Sequence, residues 1–152
     1  MWSLSAHDAA SLREISGAVH DTYLYGALEH DQVARVVDIP LLQEGWPEGP
    51  PAERVLTNET WRYREYRVTF CRGRLIVRGV QAVHGPDGWT DEDMIYSVDF
   101  DSHANQVRVC STECLRLTVD ALDVSPEPGG HVRRRVGRVS RIESDAWLDQ
   151  RP

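Results

Sequence analysis

Two His-Asp pairs, His20-Asp21 and His30-Asp31, carry side chains suited to metal chemistry. Imidazole and carboxylate groups bind transition metals, so two such pairs would nearly fill a coordination site. The chain between the pairs argues against a shared metal site, because it would span about 30 Å as an extended strand. A helix end and a hairpin turn, where His and Asp are common, are the favoured explanation of the pairs. These four residues are therefore weak metal candidates, and we expect no metal or other cofactor.

The three cysteines, Cys71, Cys110 and Cys114, are the next residues with reactive side chains. The spacing of the last two differs from the C-x-x-C of zinc knuckles and thioredoxin-like motifs, and the sequence has no second pair. On one strand their thiols would lie about 13 Å apart, so a bond between them would need a tight turn at residues 111–112. We therefore expect buried structural cysteines and a reducing compartment.

Aromatic residues alternate with arginines in the segment 61–67, which reads Trp-Arg-Tyr-Arg-Glu-Tyr-Arg. Trp, Tyr and Arg dominate the binding energy of protein interfaces, although aromatics beside Arg also bind nucleic acids. The alternative is a solvent-facing arginine ladder that pairs with acids on a neighbouring strand, with Asp99, Asp101 or Glu113 as partners. We predict a protein-binding surface that includes the loop 43–60 and the following residues: Trp61, Arg62, Arg64 and Arg67.

Several classes of enzyme are excluded by missing residues. All 17 positively charged side chains are Arg, so neither a Schiff-base lysine nor a P-loop lysine exists. The sequence also lacks the G-x-S-x-G and G-x-G-x-x-G motifs. We therefore expect a binding protein rather than an enzyme. The alternatives are a metal-assisted hydrolase that uses the two His-Asp pairs and a homodimer with a structural role.

The elements that position these residues are predicted to be strands after one short helix. Ser5 is the expected N-cap of a helix over 5–16 that ends at Gly17. From Thr22 onwards, apolar and polar residues alternate with a period of two, which indicates strands. The first pair of strands is expected on either side of a turn at 30–32, with the second strand ending at Pro40.

Further hairpins follow along the chain. The longest irregular stretch is expected at 43–60, and strands that begin at Trp61 and Leu75 are expected to flank a turn at Arg72-Gly73. Residues 94–100, 107–109 and 115–121 are predicted strands. The prolines and glycines of 126–130 are expected to break the pattern before an edge strand at 131–142 and a tail at 143–152.

These elements predict a single domain over residues 1–152 with a β core at 22–124. The fold class is mainly β, an antiparallel sandwich or partly closed barrel of about seven or eight hairpin-linked strands. A His-Asp pair followed by repeated hairpins resembles small bacterial domains, including immunity-type proteins. That resemblance agrees with a protein-binding role.

The distribution of charge bears on the choice of partner. The formal net charge is -7, which disfavours nucleic acid, and no apolar run is long enough to span a membrane. Residues 54–80 and 132–141 are nevertheless basic, at +5 each. Either oppositely charged strands neutralise each other across a sheet, or a basic patch meets an acidic partner. The first residues lack a secretory signal, so we expect a cytoplasmic protein with a protein partner or a second copy of itself.

Overall fold

The computed structural model describes residues 4–44, 54–90 and 93–140. These residues form one helix, α1 (Ala9–Val19), and twelve strands rather than seven or eight. The strands are β1 (Tyr23–Leu24), β2 (Gly26–Ala27), β3 (Glu29–Asp31), β4 (Val36–Glu44), β5 (Arg54–Glu59), β6 (Tyr63–Arg78), β7 (Val80–His84), β8 (Gly88–Trp89), β9 (Ser97–Asp101), β10 (Gln106–Cys110), β11 (Cys114–Val119) and β12 (Val124–Ser140). The predicted mainly β class with one N-terminal helix is confirmed.

The helix begins later than predicted because Asp8, not Ser5, is its N-cap. The Asp8 carboxylate accepts the Ser11 N–H at 2.8 Å, and the Ser11 hydroxyl completes a capping box. Gly17 lies inside the helix rather than at its end, and α1 continues to Val19. No helix in the described ranges combines the length and hydrophobicity that crossing a membrane requires.

The chain divides into two compact units, and the division falls inside two strands, β6 and β12. Unit 1 comprises Met1–Gln43 and Arg72–Gly130, and unit 2 comprises Glu44–Cys71 and His131–Pro152. The prediction of a single domain over 1–152 stays a prediction. The predicted tail at 143–152 lies outside the described residues.

Unit 1 contains a sandwich of antiparallel sheets. One sheet has the strand order β1–β4–β6–β12, with β3 paired to β4, and the other has the order β7–β11–β10–β9, whereas β5 pairs with β6 within unit 2. Buried side chains from α1 and from both sheets form one hydrophobic cluster, which includes Leu12, Val37, Leu75 and Leu117. Apolar residues at alternate positions of the strands supply this core, as the period of two predicts.

The same type of turn connects two of the hairpins. Asp31 accepts hydrogen bonds from the Val33 and Ala34 N–H groups between β3 and β4, and Asp101 does the same between β9 and β10. The turn between β3 and β4 ends at Arg35, which has a positive φ of 59°. His30 and Asp31 lie in β3, so the turn begins at Gln32, the last residue of the predicted turn 30–32, and runs to Arg35.

Pro40 does not end its strand as predicted, and β4 runs from Val36 to Glu44. β3 pairs with β4 only up to Asp38, and β1 pairs with it from Leu41. Beyond the end of the β1 ladder, the Pro40 carbonyl accepts the Tyr25 N–H at 3.5 Å. A proline is tolerated there because it lies between the two ladders rather than inside either of them.

Three other predicted breaks are wrong. β6 passes straight through the expected turn at Arg72-Gly73, and β12 passes through the expected break at 126–130 and the predicted edge strand as far as Ser140. Part of the expected irregular stretch 43–60 is strand, because Arg54–Glu59 pairs with β6, while 45–53 lie outside the described residues. Each of these long strands is held by neighbouring strands, which override local turn preferences.

Cys110 and Cys114 form a disulfide across the turn between β10 and β11, with their Cα atoms 4.1 Å apart. The expectation of unbridged, buried cysteines is therefore wrong for this pair, and Cys114 is exposed. The tight turn at 111–113 makes the two residues direct cross-strand partners. Cys110 and Cys114, which are four positions apart in the sequence, therefore lie side by side on two paired strands.

Candidate functional site

The turn that joins β5 to β6 presents the predicted aromatic and arginine residues on an ordered backbone. We call residues 60–63 the hairpin tip. The Thr60 hydroxyl accepts the Tyr63 N–H at 3.0 Å and donates to the Tyr63 carbonyl at 3.2 Å, and the Thr60 N–H donates to that carbonyl at 2.8 Å. Thr60 thus fixes the conformation of the two residues between, Trp61 and Arg62.

Trp61 has 76% of its surface exposed at this tip. The Arg62 guanidinium carbon lies 4.1 Å from the centre of the indole ring, which is a cation–π contact. Tyr63, the first residue of β6, is 43% exposed. An indole in contact with a guanidinium is therefore exposed on this turn, and an exposed phenol follows one residue later.

The other two predicted binding residues lie farther along β6 and on opposite faces of it. Arg64 is opposite Glu59 in the ladder, and its Nε donates to the Glu59 carboxylate at 3.3 Å. Only 13% of the Arg64 side chain is exposed, so it supports the hairpin. Arg67 is exposed and lies opposite Val55, three positions farther along the strand. The structure thus brings Trp61 and Arg62 together and separates Arg64 from Arg67.

Sequence reasoning missed two apolar residues of this hairpin. Val55 and Leu56 are 47% and 46% exposed although they are consecutive, so both faces of β5 are open. They fell within the stretch 43–60 that was expected to be irregular. The run Arg-Val-Leu-Thr carries a weak strand signal, but exposure on both faces depends on tertiary packing and has no signature in the sequence.

Two arginines of the hairpin, Arg62 and Arg67, differ in ion pairing from the arginines of the sheets in unit 1. Arg74 pairs with Asp38 at 2.8 Å, and Arg108 pairs with Asp99 at 2.6 Å. These pairs agree with the expectation that charged strands neutralise each other. Asp99, which was expected as a possible partner of the hairpin arginines, pairs with Arg108 instead. Neither Arg62 nor Arg67 forms an ion pair with any residue in the described part of the chain.

The two His-Asp pairs do not come together. Tyr23, next to the first pair, lies opposite Leu42 of β4, whereas His30 lies opposite Val37. Five positions along a strand correspond to about 17 Å. His20 and Asp21 contact each other at 3.1 Å on the surface. Within the described ranges, no three His, Cys, Asp or Glu side chains are placed to hold a metal ion.

Comparison with known proteins identifies no relative: no family model, curated protein or solved structure matches this chain.

Proposed function

We propose that this protein is a small binding module that engages a protein partner through the hairpin tip. The observation that carries the proposal is Trp61, a large aromatic side chain that is 76% exposed on a turn held by Thr60. Burial of an indole in a partner's pocket contributes more than most contacts at an interface. Because the turn is already ordered, little conformational entropy is lost on binding.

The neighbouring groups favour a protein over a nucleic acid as the partner. Arg62 occupies one face of the Trp61 ring, so that face cannot stack on a base. The net charge of -7 repels a polyanion at long range. Tyr63 adds apolar surface within the tip, and Val55 and Leu56 add more farther along β5, as is common in a protein interface.

Affinity capture with variants of the hairpin tests the proposal. Wild-type protein, Trp61→Ala and Arg62→Glu are immobilised, and the proteins they capture from cells that make this chain are quantified by mass spectrometry. The matched control is Val33→Ala, because Val33 is 96% exposed in unit 1. We expect a partner that both tip variants lose and that the control retains. An identical set of captured proteins on all four samples would refute the proposal.

We also propose that the module acts in the cytoplasm of a bacterial-type cell, on the basis of its sparse cysteines. The Cys110–Cys114 disulfide is the opposing observation, because stable disulfides are typical of oxidising compartments. Alkylation of intact cells before lysis distinguishes the two. Free Cys110 and Cys114 thiols are expected in the cytoplasm, and a bridged pair at harvest would contradict this location.

A further inference from the structure

The outer edge of β7 borders an open groove in unit 1 that the hairpin tip does not use. β7 is the terminal strand of the order β7–β11–β10–β9. The turn between β3 and β4 lies beside it, and the Val80 N–H donates to the Arg35 carbonyl at 2.9 Å. Between them is a cavity of about 560 Å³. Its polar lining comes from His30, Gln32, Arg35 and Gln81.

The register of the sheet shows which backbone groups of β7 face this groove. The Val119 N–H donates to the Asn105 carbonyl, so the polar groups of Val119 point toward β10. Leu117 lies two residues earlier and points the same way, because backbone direction alternates along a strand. Val83 lies opposite Leu117. Its N–H and C=O therefore point away from β11 and into the groove.

The side chains around the groove carry little net charge. The Arg35 guanidinium is paired with Asp120 at 2.6 Å, and the Gln81 amide donates to the same carboxylate. Gln32 and Gln81 offer amide groups, which can both donate and accept hydrogen bonds as a peptide bond does. The groove thus offers a backbone donor, a backbone acceptor and neutral polar side chains, which together suit an uncharged extended peptide.

We propose that β7 is a second binding edge, which adds an uncharged extended segment of a partner protein to the four-stranded sheet. The added strand exchanges two main-chain hydrogen bonds with Val83, and the amides of Gln32 and Gln81 contact its peptide groups. Addition of a strand to an exposed sheet edge is a recurring mode of peptide recognition. This inference concerns a different surface from the hairpin tip and does not depend on it.

Val83 permits a selective test. Its N–H makes no bond to β11, so Val83→Pro removes a groove donor without removing a ladder bond. Val83→Ala is the matched control, because it loses the same core packing but keeps the N–H. Peptides are selected from a random displayed library on the wild-type protein, and the tightest uncharged peptide is synthesised and titrated against each protein. We expect Val83→Pro to weaken its binding by about tenfold and Val83→Ala by less than about threefold.

Other outcomes overturn the proposal and leave the hairpin tip unaffected. Equal binding to wild type and Val83→Pro, loss of binding on Trp61→Ala alone, or a library that yields no uncharged binder would each do so. If Val83→Pro does not fold, as judged by circular dichroism, hydrogen exchange of the wild-type complex decides the matter. The bound peptide is expected to slow exchange of the Val83 amide, and an unchanged rate contradicts strand addition.

Discussion

At the scale of single residues, the Asp8 cap ties helix stability to pH. The Ser11 N–H and hydroxyl hold the pKa of Asp8 below its ordinary value. A lowered folded pKa gives stability that is present above the unfolded pKa and is lost as pH falls through the folded one. We expect Asp8→Ala to lower the thermal midpoint at pH 7, whereas Asp8→Asn, which still caps, keeps most of it.

Measurements at several pH values separate the hydrogen bonds of the Asp8 cap from the effect of its charge. Between about pH 5 and pH 3, the midpoint of the wild type should fall relative to that of Asp8→Asn, because only the wild type loses a charged cap. Thermal melts followed by circular dichroism provide the measurement. Equal midpoints for wild type and Asp8→Ala at pH 7 would show that the cap contributes nothing.

Asp38 is expected to behave in the opposite way. Its burial raises the pKa, although Arg74 opposes that shift. A carboxyl group with a raised folded pKa costs stability while it is charged and regains it as pH falls through the folded pKa. Urea unfolding at several pH values should therefore show the wild type gaining stability relative to Asp38→Asn as pH falls from about 6 to 4. The two curves running parallel would contradict this.

At the scale of elements, two glycines make a matched pair. A Cβ at Gly88 would lie 2.9 Å from the Gly26 carbonyl oxygen, where β8 and β2 pair, whereas a Cβ at Gly17 of α1 would meet no atom within 4 Å. We expect Gly17→Ala to raise the free energy of unfolding by roughly 0.5–1 kcal/mol, because it reduces the entropy of the unfolded chain. Gly88→Ala should lower it by roughly 1–3 kcal/mol, because backbone must move.

Urea titration measures both changes, and each variant controls for the other, since both add a single methyl group. A stabilising Gly88→Ala would mean that β2 and β8 do not approach as described. A destabilising Gly17→Ala would mean that the helix does not include this position.

The accuracy of the predicted strands depends on whether the turns between them can be recognised in the sequence. β9, β10 and β11 alternate cleanly and are separated by Asp-initiated or short polar turns, so their pattern was sufficient to place them. β6 and β12 were divided wrongly, because glycine and proline at 73 and 126–130 signal turns only when no neighbouring strand holds the chain extended. The disulfide was missed for a related reason. The distance between Cys110 and Cys114 was estimated along a single strand, whereas the two residues lie on paired strands.

At the scale of the whole molecule, the residues of the hairpin tip could be proposed from the sequence, whereas the groove along β7 could not. Aromatic and arginine residues next to each other in the sequence mark this segment, but Trp61 was expected to begin a strand, and the turn between β5 and β6 that Thr60 holds was unforeseen. The groove joins Arg35 to Val80 and Val83, which are about 45 residues apart, through a register that only the folded sheet defines. Sites formed by long-range pairing leave no local pattern.

Stability is expected to differ between the two units. Among described residues, the buried hydrophobic side chains of unit 2 are Tyr66 and Phe70, whereas unit 1 contains the large cluster that includes Leu117. Segments with few buried apolar groups open at lower free energy than the core. We therefore expect amides of β5 to exchange with an opening free energy roughly 2 kcal/mol or more below that of β9–β11.

Hydrogen exchange at increasing urea, followed by mass spectrometry, measures both opening free energies on the full chain. Leu117→Ala provides the control, because a core cavity costs about 2–5 kcal/mol and should accelerate exchange in β9–β11. Exchange in β5 should respond less, since β5 already opens without the unfolding of unit 1. If β5 and β11 instead lose protection together in both proteins, the chain unfolds as one cooperative unit, and the single-domain prediction is upheld in its strictest form.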